Sequence, residues 1–233
     1  MAGAIVYLIP TFLYENVMQP LPAYILDAIK KCDTFFVENE RSSRRYLKQW
    51  DREIVIDEFE WHTIGKAEAE VQQQFRTSLK QGKVVGIISE AGCPGIADPG
   101  QLLVATAQEM EVQVVPLVGP SSIFLALMAS GLNGQQFSFV GYLPIENQQR
   151  IKAIKELESE SKKKNSTQIF IETPYRNNQL LETILKHAQP ETQLCVAANI
   201  TGPDEYIRTN SIRKWNSIAI DLHKKPAIFL LKS

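Results

Sequence analysis

The sequence predicts an α/β protein made of two α/β domains, and three observations support this. Short apolar runs alternate with longer segments in which apolar residues recur every three or four positions, as strands and amphipathic helices do. The chain has 233 residues, of which 44% are hydrophobic, enough for one large core or two small ones. Strands become more frequent relative to helices after Leu117, which predicts domains at 1–117 and 118–233.

The first half begins with the apolar run Ala4–Ile9, ended by Pro10, which predicts a strand. Apolar residues four positions apart, from Ala67 to Leu79, predict a helix over 65–81. This alternation predicts a mostly parallel sheet, which binds ligands at the carboxyl ends of its strands. The other strands are predicted at 34–37, 54–56, 83–88 and 112–117, and the other helices at 20–31, 42–50 and 101–109.

The second half continues with a helix of small residues at 122–131 and a long polar helix at 146–164. Its final two strands resemble a hairpin. The strands are predicted at 137–142, 168–172, 193–200, 215–222 and 227–231, and a further helix at 176–187.

Charge and cysteine usage exclude several classes. The net charge of −1 gives no global attraction to nucleic acid. The three cysteines are odd in number and widely spaced, which disfavours a disulfide framework or a zinc site and predicts a cytoplasmic protein without a metal. No run of about 18 apolar residues is present, and the opening MAGAIVYLIP lacks a basic signal-peptide region.

The stretch SEAGCPGIADPG at 89–100 directly follows an apolar run and is the strongest candidate for a binding loop. Gly92, Gly95 and Gly100 permit tight turns and close approach of a ligand to the main chain. The loop holds no lysine or arginine, so it suits a neutral or cationic ligand better than a phosphate. Asp98 is predicted to cap the helix near Gln101. A ligand-free connection is the alternative.

A second corner, Gly119-Pro120-Ser121-Ser122, repeats this arrangement where a predicted strand meets a predicted helix. One serine fits the N-cap position, which leaves the other hydroxyl free for a ligand.

Charged residues follow two other predicted strands. Glu172 and Arg176 form either a structural ion pair or one edge of a substrate site. Glu38 precedes a basic segment, 41–45, which is either a solvated helix face or a contact to phosphates.

Six motifs follow one another along the chain: VENERSSRRYL (37–47), SEAGCPGIADPG (89–100), VGPSSIFLALMASGL (118–132), FVGYLP (139–144), IFIETPYR (169–176) and CVAANI (195–200). Taken together and in this order, they resemble the tetrapyrrole methylase superfamily of S-adenosylmethionine-dependent methyltransferases, and within it most closely the 16S ribosomal RNA cytidine 2′-O-ribose methyltransferases. Where that branch carries a GNL-x-D-type segment, this chain has FLYENVMQPLP.

The resemblance implies two α/β domains with S-adenosylmethionine in a cleft between them, and a homodimer. It also implies the positions that border the cofactor. These are Leu13, Gly92, Cys93, Ile96, Ser121, Ser122, Ile123, Ile171, Ala197, Ala198 and Ala227.

Three functions are compatible with this resemblance: ribosomal RNA ribose methylation, methylation of a small tetrapyrrole-like molecule, and cofactor binding without catalysis. Transfer to a ribose hydroxyl needs a base, for which Glu38, Glu40 and Glu172 are candidates of equal rank. Arg41, Arg150 and Arg176 are candidates for orienting an anionic group, and ribosomal RNA or the small ribosomal subunit is the expected partner.

Overall fold

The computed structural model describes residues 3–65 and 68–233. The described chain forms two compact units that divide after Pro120, just beyond the boundary predicted after Leu117. Ala67, placed by the sequence on the apolar face of a helix, lies outside the described residues.

The first unit is a five-stranded sheet covered on both faces. The strand order is β3-β2-β4-β1-β5, and every pairing is parallel, as the sequence predicts. Its elements are β1 (Ile5–Ile9), α1 (Ile25–Ile29), β2 (Thr34–Val37), α2 (Glu40–Trp50), a 3₁₀ turn (Ile56–Glu58), β3 (Glu60–Thr63), α3 (Glu68–Lys80), β4 (Val84–Ile88), α4 (Gln101–Glu109) and β5 (Gln113–Pro116).

Consecutive residues of β2 show how this sheet is buried on both sides. Phe35 points into a core formed with α1 and α2, whereas Phe36 points into the opposite core and packs edge-on against Phe75 of α3 at 5.1 Å. Such continuous burial is typical of parallel strands between helix layers. The polar side chains that follow these strands therefore gather at the carboxyl edge of the sheet.

The second unit contains a mixed sheet with the strand order β6-β7-β10-β8-β9. Only the β6–β7 pair is parallel. Its elements are α5 (Ser122–Ser130), β6 (Phe137–Tyr142), α6 (Asn147–Lys164), β7 (Thr167–Ile171), α7 (Asn177–His187), β8 (Gln193–Ala198), β9 (Tyr206–Ser211), α8 (Ile212–Trp215) and β10 (Ala227–Lys232).

The core of the second unit lies under α6, α7 and α8, where Phe170 and Phe229 stack at 5.8 Å. Trp215 is fully buried there, and its indole donates to the Leu194 carbonyl at 2.8 Å. None of the helices in the described ranges combines the length and apolar character that crossing a bilayer requires.

Four predictions about the fold are wrong. Segment 54–56 is not a strand, because the pairing strand of this region is the more polar β3. Segment 215–222 is not a strand, since its tryptophan ends α8 and packs into the core. The final two strands do not form a hairpin, because segment 215–222 is not a strand and β10 pairs instead with β7 and β8. The helix predicted at 20–31 covers only Ile25–Ile29.

Candidate functional site

The loop after β4 uses its glycines as the sequence predicts. Gly92, Gly95 and Gly100 have φ angles of +77°, +76° and +115°, which side chains of L-amino acids rarely adopt. Ala97 also has a positive φ, +62°. The loop is thus held in a backbone shape that ordinary residues resist, a feature that often marks a functional segment.

This loop meets both the segment after β1 and the second glycine-proline corner. The Thr11 amide donates to the Gly92 carbonyl at 2.9 Å. The Cys93 thiol donates toward the carbonyls of Gly119 and Pro120 at 3.7 and 3.5 Å. These contacts all lie within the first unit, at the carboxyl ends of β1, β4 and β5.

The junction is tightly packed around Gly92 and leaves no room for a side chain on Gly119. A Cβ atom on Gly92 would lie 3.1 Å from both Leu13 Cδ2 and the Pro120 carbonyl oxygen. One on Gly119 would lie 2.2 Å from Pro10 Cβ. Leu13, Gly92 and Cys93, three of the predicted cofactor residues, are therefore neighbours, while Ile96 extends from the same loop with half of its surface exposed.

Three carboxylates form a cluster at this loop: Glu90 and Asp98 belong to it, and Glu38 lies beside it. Glu38 follows β2 and accepts from the Glu90 amide at 3.3 Å, and Asp98 accepts from the Ser89 hydroxyl at 2.7 Å. Burial, then repulsion from Asp98 and Glu90, raises the pKa of Glu38 above its ordinary value. Burial, opposed by the Ser89 hydrogen bond, likewise raises the pKa of Asp98. The charges that raise the pKa values of Glu38 and Asp98 are those of other carboxylates. The carboxylate cluster therefore favours a cationic ligand.

Asp98 does not cap α4, contrary to the prediction. The N-cap is Gly100, and the Asp98 carboxylate turns back to Ser89 because the loop folds against the end of β4. Ser121 does occupy the N-cap position of α5, but its side chain makes no capping hydrogen bond. Ser122 and the buried Ile123 begin the helix itself.

The basic segment belongs to α2, which Asn39 caps by accepting from the Arg41 amide at 3.0 Å. Glu40 is half-exposed and pairs with Arg44 at 2.5 Å. The Arg44 guanidinium also lies over the Trp61 ring at 5.4 Å. Arg41 projects from the exposed first turn of the helix. Of the two acidic residues here, only Glu38 faces the loop after β4.

A cavity of about 290 Å³ separates α2 from the segment after β1. Phe12 and Tyr46 meet edge-on at 5.8 Å on its wall. The Ser42 hydroxyl donates to Glu90 at 2.5 Å across the same wall. This cavity adjoins the carboxylate cluster. It was not predictable from the sequence, because its walls come from segments far apart in the chain.

In the second unit, four predicted cofactor residues lie close together at the ends of three adjacent strands. They are Ile171, Ala197, Ala198 and Ala227. Ala227 pairs with Ala198, and Ile228 pairs with both Ile171 and Ala197, so the ends of β7 and β8 lie beside the start of β10. The segment after β8 has positive φ angles at Asn199 (+50°) and Thr201 (+72°), which again marks a strained turn at a strand end.

Glu172 and Arg176 form the ion pair that the sequence offers as one alternative. Arg176 donates to Glu172 Oε1 through Nε at 3.0 Å and through a terminal nitrogen at 2.6 Å. Burial opposes ionisation of Glu172, but the Arg176 hydrogen bonds and the Thr173 amide outweigh it and lower its pKa. A carboxylate held ionised by an arginine is a poor proton acceptor.

Arg150 is buried between α6 and α7. It donates to Thr183 Oγ1 at 3.3 Å, to the Ile145 carbonyl at 3.0 Å and to Asn147 Oδ1 at 3.0 Å. Because these hydrogen bonds hold the guanidinium inside the second unit, Arg150 stabilises the fold.

A family model described as Tetrapyrrole (Corrin/Porphyrin) Methylases matches residues 21–215. The chain belongs to this family. The match covers the β4 loop, the second glycine-proline corner and the β7–α7 segment.

Two relatives of this tetrapyrrole methylase are each named ribosomal RNA small subunit methyltransferase I. The Vibrio cholerae protein is 32% identical over 88% of this chain and 67% of its own length. The Halalkalibacterium halodurans protein is 31% identical over 67% of this chain, which spans only about half of that relative, 52%. The crystal structure of a diphthine synthase has a TM-score of 0.70 at 12% identity, covering 99% of this chain and 90% of its own, and shares its fold.

Proposed function

We propose that this tetrapyrrole methylase transfers a methyl group from S-adenosylmethionine to a ribose 2′-hydroxyl of ribosomal RNA. Family membership supports methyl transfer, and the names of the relatives favour ribosomal RNA as the acceptor. The observation that carries the proposal is the carboxylate cluster of Glu38, Glu90 and Asp98 at the carboxyl edge of the first sheet.

The residues of this corner fit such a cofactor. S-adenosylmethionine supplies an electrophilic methyl group on a positively charged sulfur. Because Glu38 and Asp98 repel Glu90 and one another, a cation placed near them relieves this repulsion. Leu13, Gly92, Cys93 and Ile96 are the residues of the first unit that we propose contact the cofactor. The candidates in the second unit stay a prediction.

Among the three candidate bases, the electrostatics favour Glu38. A base needs a pKa closer to the working pH than that of a free carboxylate, and burial with like charges supplies that shift. The Glu40 carboxylate is occupied by its ion pair with Arg44. The Arg176 guanidinium lowers the pKa of Glu172, which makes that carboxylate a poor proton acceptor. We propose that Glu38 accepts the proton of the ribose hydroxyl, and we leave Arg150 out of the site because it is buried.

The test is methyl transfer from labelled S-adenosylmethionine to undermethylated small ribosomal subunits. We expect label in the RNA, recovered as a 2′-O-methylated nucleoside after nuclease digestion. Label that appears only in an added tetrapyrrole-like acceptor contradicts the RNA assignment. Binding of S-adenosylhomocysteine by calorimetry, with no transfer to any acceptor, contradicts the enzymatic function itself.

We also propose that the protein is a homodimer that associates through its second unit. Exposed apolar side chains concentrate on α5 and on the edge strand β6 with the segment after it. Met128 is 79% exposed, Ile145 66% and Tyr142 59%. Exposed apolar residues in such numbers are typical of interaction surfaces.

Met128→Glu together with Ile145→Glu is therefore expected to shift the protein from dimer to monomer, because charges at an apolar interface are costly to bury. Light scattering after size exclusion, over a range of concentrations, measures the change. Val55→Glu is the matched control, since Val55 is equally apolar and 53% exposed but lies in the first unit. A monomeric wild-type chain at every concentration contradicts the proposal.

A further inference from the structure

Two turns of the second unit come together at the carboxyl end of β7. Antiparallel pairing of Ile171 with Ile228 brings the segment after β7 beside the segment before β10. The Lys224 amide donates to the Pro174 carbonyl at 3.0 Å and ties the two turns together. We call residues 172–176 and 221–226 the β7–β10 corner.

Tyr175 projects from this corner with 71% of its surface exposed. Its ring meets the His223 ring edge-on at 5.9 Å, and Lys224 Nζ lies 6.0 Å from its centroid. Lys224 has a φ of +60°, an uncommon angle for a lysine, so the turn fixes this residue beside the tyrosine. The ring is thus held by neighbours on its edge and one side while most of its surface faces solvent.

The cations around Tyr175 outnumber the carboxylates. Lys224, Lys225 and Arg176 lie in the same corner as His223. Of the two carboxylates there, Glu172 is buried against Arg176, and Asp221 accepts from Asn178 at 2.7 Å and from the His223 amide at 2.9 Å. An exposed aromatic ring flanked by cations is the combination with which proteins bind unpaired nucleotides, the ring stacking on a base and the cations contacting phosphates.

We propose that the β7–β10 corner binds single-stranded RNA, with Tyr175 stacking on an unpaired base and Lys224 and Lys225 contacting the adjacent phosphates. This inference rests on the proposed function, since it assigns part of the RNA substrate to these residues. The corner adjoins the strand ends that carry Ile171, Ala198 and Ala227, three of the predicted cofactor residues of this unit. A base held there lies beside the segment expected to border the methyl donor.

The experiment measures binding of a fluorescent single-stranded RNA oligonucleotide to the full chain by anisotropy, with duplex RNA of the same sequence as comparison. Tyr175→Leu keeps apolar bulk but loses the π face, so we expect affinity to fall about tenfold. Tyr175→Phe keeps the ring and is expected to bind as wild type. The duplex is expected to bind more weakly than the single strand and to be insensitive to both substitutions.

Lys224→Ala tests the phosphate contacts. We expect it to flatten the dependence of log affinity on log salt concentration by about 0.7, the value for one phosphate contact on a single strand. Lys163→Ala is the matched control, because Lys163 is an exposed lysine of the same unit, at the end of α6 that precedes β7. It lies at the opposite end of β7 from Tyr175 and is expected to leave the slope unchanged.

The outcomes separate this inference from the proposed function. Equal RNA affinity of Tyr175→Leu and wild type, or an equal effect of Lys163→Ala and Lys224→Ala, overturns the inference even when the wild type methylates ribosomal RNA. Circular dichroism shows whether Tyr175→Leu is folded. If it is not, the RNA affinities of Tyr175→Phe and Tyr175→Thr are compared instead. A wild type that binds no S-adenosylmethionine overturns the proposed function, whatever Tyr175 does.

Discussion

Replacing Glu38 with glutamine is expected to lower the rate of methyl transfer to RNA by about 10²–10⁴-fold, the usual contribution of a general base. Glutamine keeps the size of the side chain and still accepts from the Glu90 amide, which in the native protein lies 3.3 Å from Glu38 Oε1. It loses the ability to take up a proton. Single-turnover rates with saturating RNA and labelled cofactor measure the effect.

Glu40→Gln is the matched control for this substitution. Glu40 lies two positions further along the chain but is paired with Arg44, on the exposed side of α2. We expect its replacement to change the single-turnover rate little. Affinity for S-adenosylhomocysteine should remain measurable in both variants. A Glu38→Gln enzyme that turns over at the wild-type rate rules out Glu38 as the base.

The pH dependence of the wild-type rate gives a second measure of the same base. Glu38 must be ionised to accept a proton. The rate is therefore expected to rise with pH until the Glu38 carboxyl group is fully deprotonated. Because burial and the charges of Asp98 and Glu90 raise the pKa of Glu38, the acidic limb should lie above the 4.5 of an ordinary glutamate. Glu90→Gln removes one repelling charge and is expected to move that limb to lower pH.

Much of the fold was predictable from local patterns, and the two strands that were missed share a cause. Phe35 and Phe36 lie in a short apolar run, which predicts a buried strand whatever its neighbours are. Strands β3 and β9 were missed because both lie at sheet edges and carry polar residues such as Glu60 and Asn210. An edge strand is specified by its pairing partner more than by its own composition.

Some features of the candidate site were likewise predictable from local sequence, and others were not. The need for glycine at 92, 95 and 100 follows from the composition of one loop, and the observed φ angles confirm it. The approach of Glu38 to Glu90 and Asp98 depends instead on β2 pairing with β4, which no local pattern reveals. One signal was available: each of these acids follows a predicted strand, and parallel strands end at a common edge.

A methyl group on Gly119 is expected to destabilise the first unit and to abolish most cofactor binding. The added Cβ would lie 2.2 and 2.4 Å from Cβ and Cγ of Pro10, and a proline ring has little freedom to move away. The strand ends that carry Pro10 and Gly119 must therefore separate, which withdraws Pro120 from Cys93. We expect Gly119→Ala to lower the free energy of unfolding by about 1–3 kcal/mol, as overpacking does.

Three other glycines separate steric contact from backbone strain. Gly95 has a φ of +76° and nothing within 4 Å of an added Cβ, so Gly95→Ala tests strain alone, about 1–2 kcal/mol. Gly92 has both a positive φ and contacts at 3.1 Å, whereas Gly134 has open space around an added Cβ and no positive φ. Gly134→Ala is therefore the control, expected to match wild type.

Thermal unfolding and calorimetry with S-adenosylhomocysteine, applied to all four variants, distinguish a binding junction from a merely tight turn. If the junction of Gly92, Gly119 and Leu13 shapes the cofactor pocket, Gly92→Ala and Gly119→Ala lose affinity in excess of their loss of stability. Gly95→Ala then loses stability with a smaller loss of affinity, because its strain is not transmitted to Pro10 or Pro120. Equal affinity of Gly119→Ala and Gly134→Ala at a temperature where both are folded contradicts a cofactor site at this junction, since the strand ends would have moved without consequence for the ligand.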